Sequence, residues 1–288
     1  IRPVLTALAF ITVGLSLKIA LFPLHVWLPG AYSSAPTAVA AFMAGTATKV
    51  SLYVLMRFIF GIFGVRLVLP ELHLLDMLML FSAVAMITAS VVALFAKDLK
   101  RLLAYSSVAQ IGYITLGLSL ANADGITASV LHLFNHGIAK AALFMLVGGM
   151  MLRAGTCQLD ALAGLARRMP VTCLGVVLAG LSLVGVPGTA GFITKWHLVL
   201  AALADGNWWI VGVIVASSVL AAAYVWRFVE VAYLRPAPAA AVTRSEAPLQ
   251  MLVPAWAMVA ACIYFGFDTS FTLGGARDAA AVLLGGLR

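Results

Sequence analysis

The residues best placed for chemistry lie in "HLFNHGIAK", positions 132 to 140, inside a run from Ile126 to Leu152 that is otherwise almost wholly apolar. His132, His136 and Lys140 are spaced by four and four again. On an α-helix that sets them along one slowly drifting stripe about 12 Å long. Three more lysines, Lys18, Lys49 and Lys195, fall within other apolar stretches. A lysine near a bilayer centre costs at least ~2.5–3.5 kcal/mol, so such residues face a partner or a wet cavity, or snorkel from a helix end. Snorkelling suits Lys195, close to a glycine-rich break, but not Lys49 in the middle of its segment. Burial favours the neutral form of a lysine, and histidine titrates near neutrality, so a buried Lys/His file reads as a proton path. In "YSSVAQIGY", Ser106, Gln110 and Tyr113 stand at i, i+4 and i+7. They offer either a wettable stripe beside that file or hydrogen-bonding glue between helices.

Rival chemistries fit less well. His-x-x-x-His is a zinc-ligand spacing, but no Cys or acidic residue shares the segment, and Lys140 one turn on would repel a dication. A haem clamped by two histidines needs them on facing helices. Satisfaction by backbone carbonyls is the plain structural reading of either histidine alone. Cys157, Cys173 and Cys262 show no CxxC or paired spacing, so neither a disulfide framework nor a metal site is expected. Arg227 and Glu230, three apart, are placed to pair. His25 and Trp27 after Pro23 suit an interfacial or re-entrant turn, and Glu71, His73 and Asp76 mark the outer entry of a span.

The elements that must position these residues follow from composition. Of 288 residues 64% are hydrophobic and 10% charged, and mean hydropathy is +1.09, against roughly 25% charged in soluble domains. The chain therefore reads as an all-α membrane protein of about eight transmembrane helices. They are expected at Val4–Leu21, Thr37–Phe60, Leu72–Ala96, Leu102–Ala121, Ile126–Leu152, Val171–Leu203, Trp208–Leu234 and Gln250–Phe267. Two are expected to be broken. Pro23 opens a proline-rich stretch that runs to Pro36, and "GVPGTAG" puts Pro187, Gly188 and Gly191 inside the sixth span. Such breaks survive at membrane depth only where buried in protein or lining a polar cavity, and a pair of them hints at an internal repeat. The net charge of +8 does not indicate nucleic-acid binding. Lys97, Lys100, Arg101, Arg153, Arg167, Arg168, Arg235 and Arg244 fall in alternate connections, and the remaining connections carry Arg66 and otherwise only acidic residues, Asp124 and Asp205 among them. The positive-inside rule then puts the first set in the cytoplasm and both ends of the chain outside. The chain opens at Ile1 with no charged leader and cleavage site, so a longer protein is expected to precede it.

Four stretches, "KIALFPLHVWLPGAYSSAPTAVAAFMAG", "DLKRLLAYSSVAQIGY", "HLFNHGIAKAALF" and "GVPGTAGFITKW", form an ordered set across nearly the whole chain. They resemble the antiporter-like, proton-conducting subunits shared by respiratory complex I and Mrp-type cation/proton antiporters. "GVPGTAGFITKWHLVLAAL" and "YVWRFVEVAY" look most like the D-type Mrp subunit. The resemblance implies a fourteen-helix subunit with inverted repeats, of which this chain is the C-terminal part. Residues 1–60 would end the first repeat, 72–234 form the second, and 250–288 supply a last helix and tail. It also implies a path through Lys18, Lys49, His132, His136, Lys140 and Lys195, with no cofactor of the subunit's own. The glutamate that usually pairs with the lysine at Lys18 is missing from these spans, so its partner is expected outside this chain. The function implied is proton translocation in a bacterial plasma-membrane complex, alongside other membrane subunits, exchanging protons for sodium or another monovalent cation. The alternative is a proton-pumping arm subunit of a complex I-like or hydrogenase-like enzyme. A purely structural or quinone-site subunit does not need four lysines spread through the bilayer.

Overall fold

The computed structural model describes residues 2–64, 73–236 and 245–285. In lipid the backbone must satisfy its own polar groups, so the apolar runs form helices. They are α1 (Arg2–Ile19), α2 (Trp27–Ser34), α3 (Thr37–Phe63), α4 (Leu74–Phe95), α5 (Leu99–Leu120), α6 (Ala123–Ala154), α7 (Pro170–Val184), α8 (Ala190–Ala204), α9 (Trp208–Leu234), α10 (Leu249–Phe267) and α11 (Ser270–Gly285). Six of them, α3 to α6 with α9 and α10, are long and apolar enough to cross a membrane unbroken. The chain is a multi-pass membrane protein.

The eight spans expected from hydropathy become six continuous helices and two split pairs, α1 with α2 and α7 with α8. The splits fall at the prolines and glycines: α1 stops at Ile19 and α2 starts at Trp27, while Gly185 to Thr189 separate α7 from α8. The stretch expected to be a tail forms α11. Its buried Thr272, Ala276, Ala280 and Leu283 recur at helical spacing, and it packs on α6. Helix starts are marked by side-chain caps. Asp98 accepts the Arg101 N–H at 3.0 Å to begin α5, and Asn122 accepts the Gly125 N–H at 2.7 Å to begin α6.

α6 is the hub, packed against α3, α5, α7, α8, α10 and α11. A helix packed by neighbours on most of its sides is largely shielded from lipid and can carry polar side chains toward neighbours that satisfy them. α5 is covered more completely still. These two helices carry 12 of the 27 buried polar or charged residues among those described.

The basic connections gather at one end of the bundle. Leu99 N–H donates to Cys157 O at 2.8 Å, Leu159 N–H to Lys97 O at 2.9 Å, Gly164 N–H to Val231 O at 3.0 Å and Ser245 N–H to Arg168 O at 3.1 Å. Two expectations at this end are corrected. Lys100 is not a loop residue: it lies in the first turn of α5, buried, with Nζ donating to Ala35 O at 3.2 Å. Arg227 does not pair with Glu230. Its Nη1 donates to the Leu94 and Ala96 carbonyls at 2.5 and 2.7 Å, capping the end of α4, and Glu230 binds Arg235 at 3.1 Å. Arg66, Glu71, Leu72 and Arg244 lie outside the described residues, while His73 and Asp76 pair at 3.3 Å.

Candidate functional site

The α7–α8 break builds one half of the site. Gly185 has φ +83°, a left-handed conformation that stops α7. The stop frees the carbonyls of Leu183 and Val184, the negative end of the helix. Lys195, one turn into α8, donates to both, at 3.0 and 2.8 Å, and to Ser218 Oγ on α9 at 3.0 Å. Three acceptors match the three N–H groups of an ammonium. The Tyr113 ring lies 4.5 Å from Nζ as a cation–π partner, and the Tyr113 hydroxyl reaches Ile214 O and Ser218 Oγ, each at 3.2 Å.

His132 joins that half to α5. Its Nε2 stands 2.8 Å from Gln110 Oε1, while Gln110 Nε2 donates to Leu183 O at 3.3 Å. The second bond orients the amide, so Nε2 of His132 is a donor. Its Nδ1 is 2.9 Å from Thr194 Oγ1, and Thr194 Oγ1 is also 2.8 Å from Gly191 O. A neutral ring accepts the Thr194 hydroxyl at Nδ1. A protonated ring donates to that oxygen while the hydroxyl turns to Gly191 O. One hydroxyl rotation satisfies either charge state.

Lys140 is fully buried and donates to Leu103 O at 2.7 Å and Ser106 Oγ at 2.5 Å. Two acceptors match the two N–H groups of a neutral amine and leave the third N–H of an ammonium unpaired, so its proton can leave without breaking either bond. His136 stacks on His132 with ring centroids 5.7 Å apart and planes 4° from parallel. Neither nitrogen of His136 has a hydrogen-bond partner among the described residues. It lies within the electrostatic reach of both Lys49 and Lys140.

Lys49 comes from α3, which carries a wide π-helical turn over Met43–Ala47. Lys49 Nζ donates to Ala44 O within that turn and to Thr48 Oγ1 at 3.4 Å. The helices touch closely here. A Cβ on Gly137 would stand 3.0 Å from Gly45 O and 3.8 Å from Lys49 Cε, which brings the lysine stem against α6 one residue past His136. A groove of about 520 Å³ between α3, α6 and α10 opens beside Lys49.

The structure thus brings together Lys49, His132, His136, Lys140 and Lys195, with Ser106, Gln110 and Tyr113 as direct partners. Among the described residues no carboxylate is buried, so carbonyls, hydroxyls and the Tyr113 ring do the solvating. Lys18 stands apart and corrects the inward-facing expectation. It is exposed on the face of α1 that also exposes Phe10, Val13 and Leu17, because no described helix covers that face. Of the break residues, Gly191 is buried whereas Pro23 and Pro187 are exposed.

Four partners were not singled out from sequence. Thr194 and Ser218 hold His132 and Lys195, and Asn135 Nδ2 donates to Ala190 O at 3.1 Å, pinning the start of α8. The hydroxyl of Tyr224, on α9, is buried beside Gln110 and Ser106 without a closed hydrogen bond. Asn135 was open to sequence reading, since it lies within "HLFNHGIAK". The other three are ordinary Thr, Ser and Tyr until the fold places them.

Comparison with known proteins places this geometry in context. The family described as NADH:quinone oxidoreductase/Mrp antiporter, TM, matches residues 3–221. The NADH-quinone oxidoreductase subunit N of Desulforudis audaxviator (strain MP104C) is 43% identical over 263 residues, covering 87% of this chain and 52% of the relative. Subunit M of Rhodobacter capsulatus is 34% identical over 219 residues, covering 76% and 42%. A chain in the Mrp complex of Dietzia sp. DQ12-45-1b superposes with TM-score 0.89 at 27% identity, covering 99% of this chain and 60% of the other. The chain spans about half the length of the curated relatives it matches.

Proposed function

The chain belongs to the NADH:quinone oxidoreductase/Mrp antiporter transmembrane family, and from that membership we propose that it conducts protons as an antiporter-like subunit of a larger membrane complex. The path runs through Lys49, His136, Lys140, His132 and Lys195. The observation that carries this reading is the two-way satisfaction of His132 between Gln110 and Thr194. A group whose surroundings accept both charge states can load and release a proton with little reorganisation. The interruptions at Pro23 and at Pro187, Gly188 and Gly191 supply free carbonyls and loosened backbone where the path meets water. Lys18, on the open face of α1, is the point at which an acidic partner outside the described residues would join.

Two assemblies fit. The D-type motifs and the TM-score of 0.89 support a sodium/proton antiporter, whereas 43% identity to a subunit N supports a complex I-like arm. Identity weighs more here, because both groups share the fold. In either assembly the basic end faces the cytoplasm of a bacterial plasma membrane. The test is the full-length complex in sealed vesicles. A complex I-like arm should take up protons only during quinone reduction, and an antiporter should exchange sodium for protons under an imposed pH gradient alone. Proton movement in neither assay would overturn the proposal.

Tyr224 supplies the link between Ser106 at Lys140 and Gln110 at His132 in this reading. Tyr224→Phe removes only the hydroxyl and keeps the ring packing. Proton flux should fall by roughly a hundredfold, the lower range for loss of one proton-transfer group, with melting temperature unchanged. Wild-type flux in Tyr224→Phe would make the phenol a packing residue only.

A further inference from the structure

At the basic end, the turn from α4 into α5 leaves an open pocket of about 390 Å³. Its outer wall is Val91, Val92 and Phe95 at the end of α4, and Phe95 is 73% exposed. The facing side carries Lys97 and Arg101, with the Tyr105 ring centroid 6.0 Å from Arg101 Cζ. Both cations are exposed, and no ion pair holds either of them among the described residues. Asp98, the one acid in the pocket, is occupied in capping the Arg101 N–H.

The backbone beneath is held from two directions. Arg227 fixes the Leu94 and Ala96 carbonyls, while Lys97 O and Leu99 N–H are tied to Leu159 and Cys157. The pocket is therefore formed before any ligand arrives, which lowers the ordering cost of binding. Two unpaired cations sit where spans end, and the start of α5 adds its positive dipole end. An apolar wall descends from them along α4 toward lipid. A soluble anion would leave that wall unused, and a zwitterionic lipid would leave the cations without a net opposite charge. Basic pockets at the cytoplasmic ends of spans recognise anionic headgroups in this way.

We propose that this pocket is a binding site for an anionic phospholipid of the adjoining leaflet, its phosphate on Lys97 and Arg101 and its acyl chains along Val91, Val92 and Phe95. The site is separate from the proton path and stands or falls independently of it. The full-length complex, purified in detergent with phosphatidylglycerol or with phosphatidylcholine of the same chains, is read by native mass spectrometry. The wild type should retain phosphatidylglycerol in preference. Lys97→Gln with Arg101→Gln should lower that preference at least about tenfold, and Arg167→Gln, at the same end but outside the pocket, should leave it intact. Equal retention of the two lipids, an unaffected double variant, or an equal loss in Arg167→Gln would overturn the site. A second measurement needs no variant. Phosphatidylglycerol with a photoreactive acyl chain should label the Val91–Phe95 segment, and labelling confined to other helices, as when a neighbouring subunit covers this face, would also overturn it.

Discussion

Replacing Lys140 by alanine is expected to abolish proton-coupled transport in vesicles containing the full-length complex while assembly continues normally. Losing a proton-transfer group costs about 10²–10⁴-fold in rate, and a fully buried lysine leaves few detours. The fold should tolerate the change. Removing a charge from an apolar interior relieves its desolvation, and Ser106 Oγ still donates to Leu103 O at 2.9 Å. Little is left orphaned. Lys140→Arg is the sharper variant, because a guanidinium keeps the charge but stays protonated at any working pH. It too should be inactive. Wild-type flux in Lys140→Arg, with assembly confirmed by size-exclusion chromatography, would make Lys140 an electrostatic fixture instead of a relay.

Gly191→Ala is expected to damage both fold and function. A Cβ at this position would stand 1.7 Å from the carbonyl oxygen of Ser182, a backbone atom that cannot swing aside. α8 must back away from α7, carrying Thr194 from His132 and Lys195 from the Leu183 and Val184 carbonyls. Overpacking typically costs about 1–3 kcal/mol, and a rigid backbone neighbour puts this case at the upper end or beyond. The readouts are melting temperature and yield of assembled protein. Gly212→Ala is the control, since no heavy atom lies within 4 Å of its added Cβ and alanine favours the helix interior. Equal melting of Gly191→Ala and wild type would mean that α7 and α8 are not in close contact.

The membrane class, the six unbroken helices, both interruptions and the basic end were legible in the sequence because each depends on local chemistry. Hydropathy decides what can cross lipid, proline and glycine decide where the hydrogen-bond ladder stops, and loop charge is read residue by residue. The Lys/His stripe of α6 was legible for the same reason, since four-residue spacing on one helix fixes a common face. The helix that escaped the sequence reading is α11, in the C-terminal stretch, where glycines and charges hid its period.

Which lysines point inward was decided by the tertiary structure alone. Lys18 and Lys49 both sit in apolar helices, yet α6 covers one and no described helix covers the other; Lys100 looked like a loop charge and is buried against Ala35 O. Partner choice was decided the same way. Thr194 meets His132 across 62 residues of sequence, and Arg227 meets Ala96 across 131. A side chain's type states which hydrogen bonds it can make, but only the packing of distant helices states which acceptor stands within 3 Å of it.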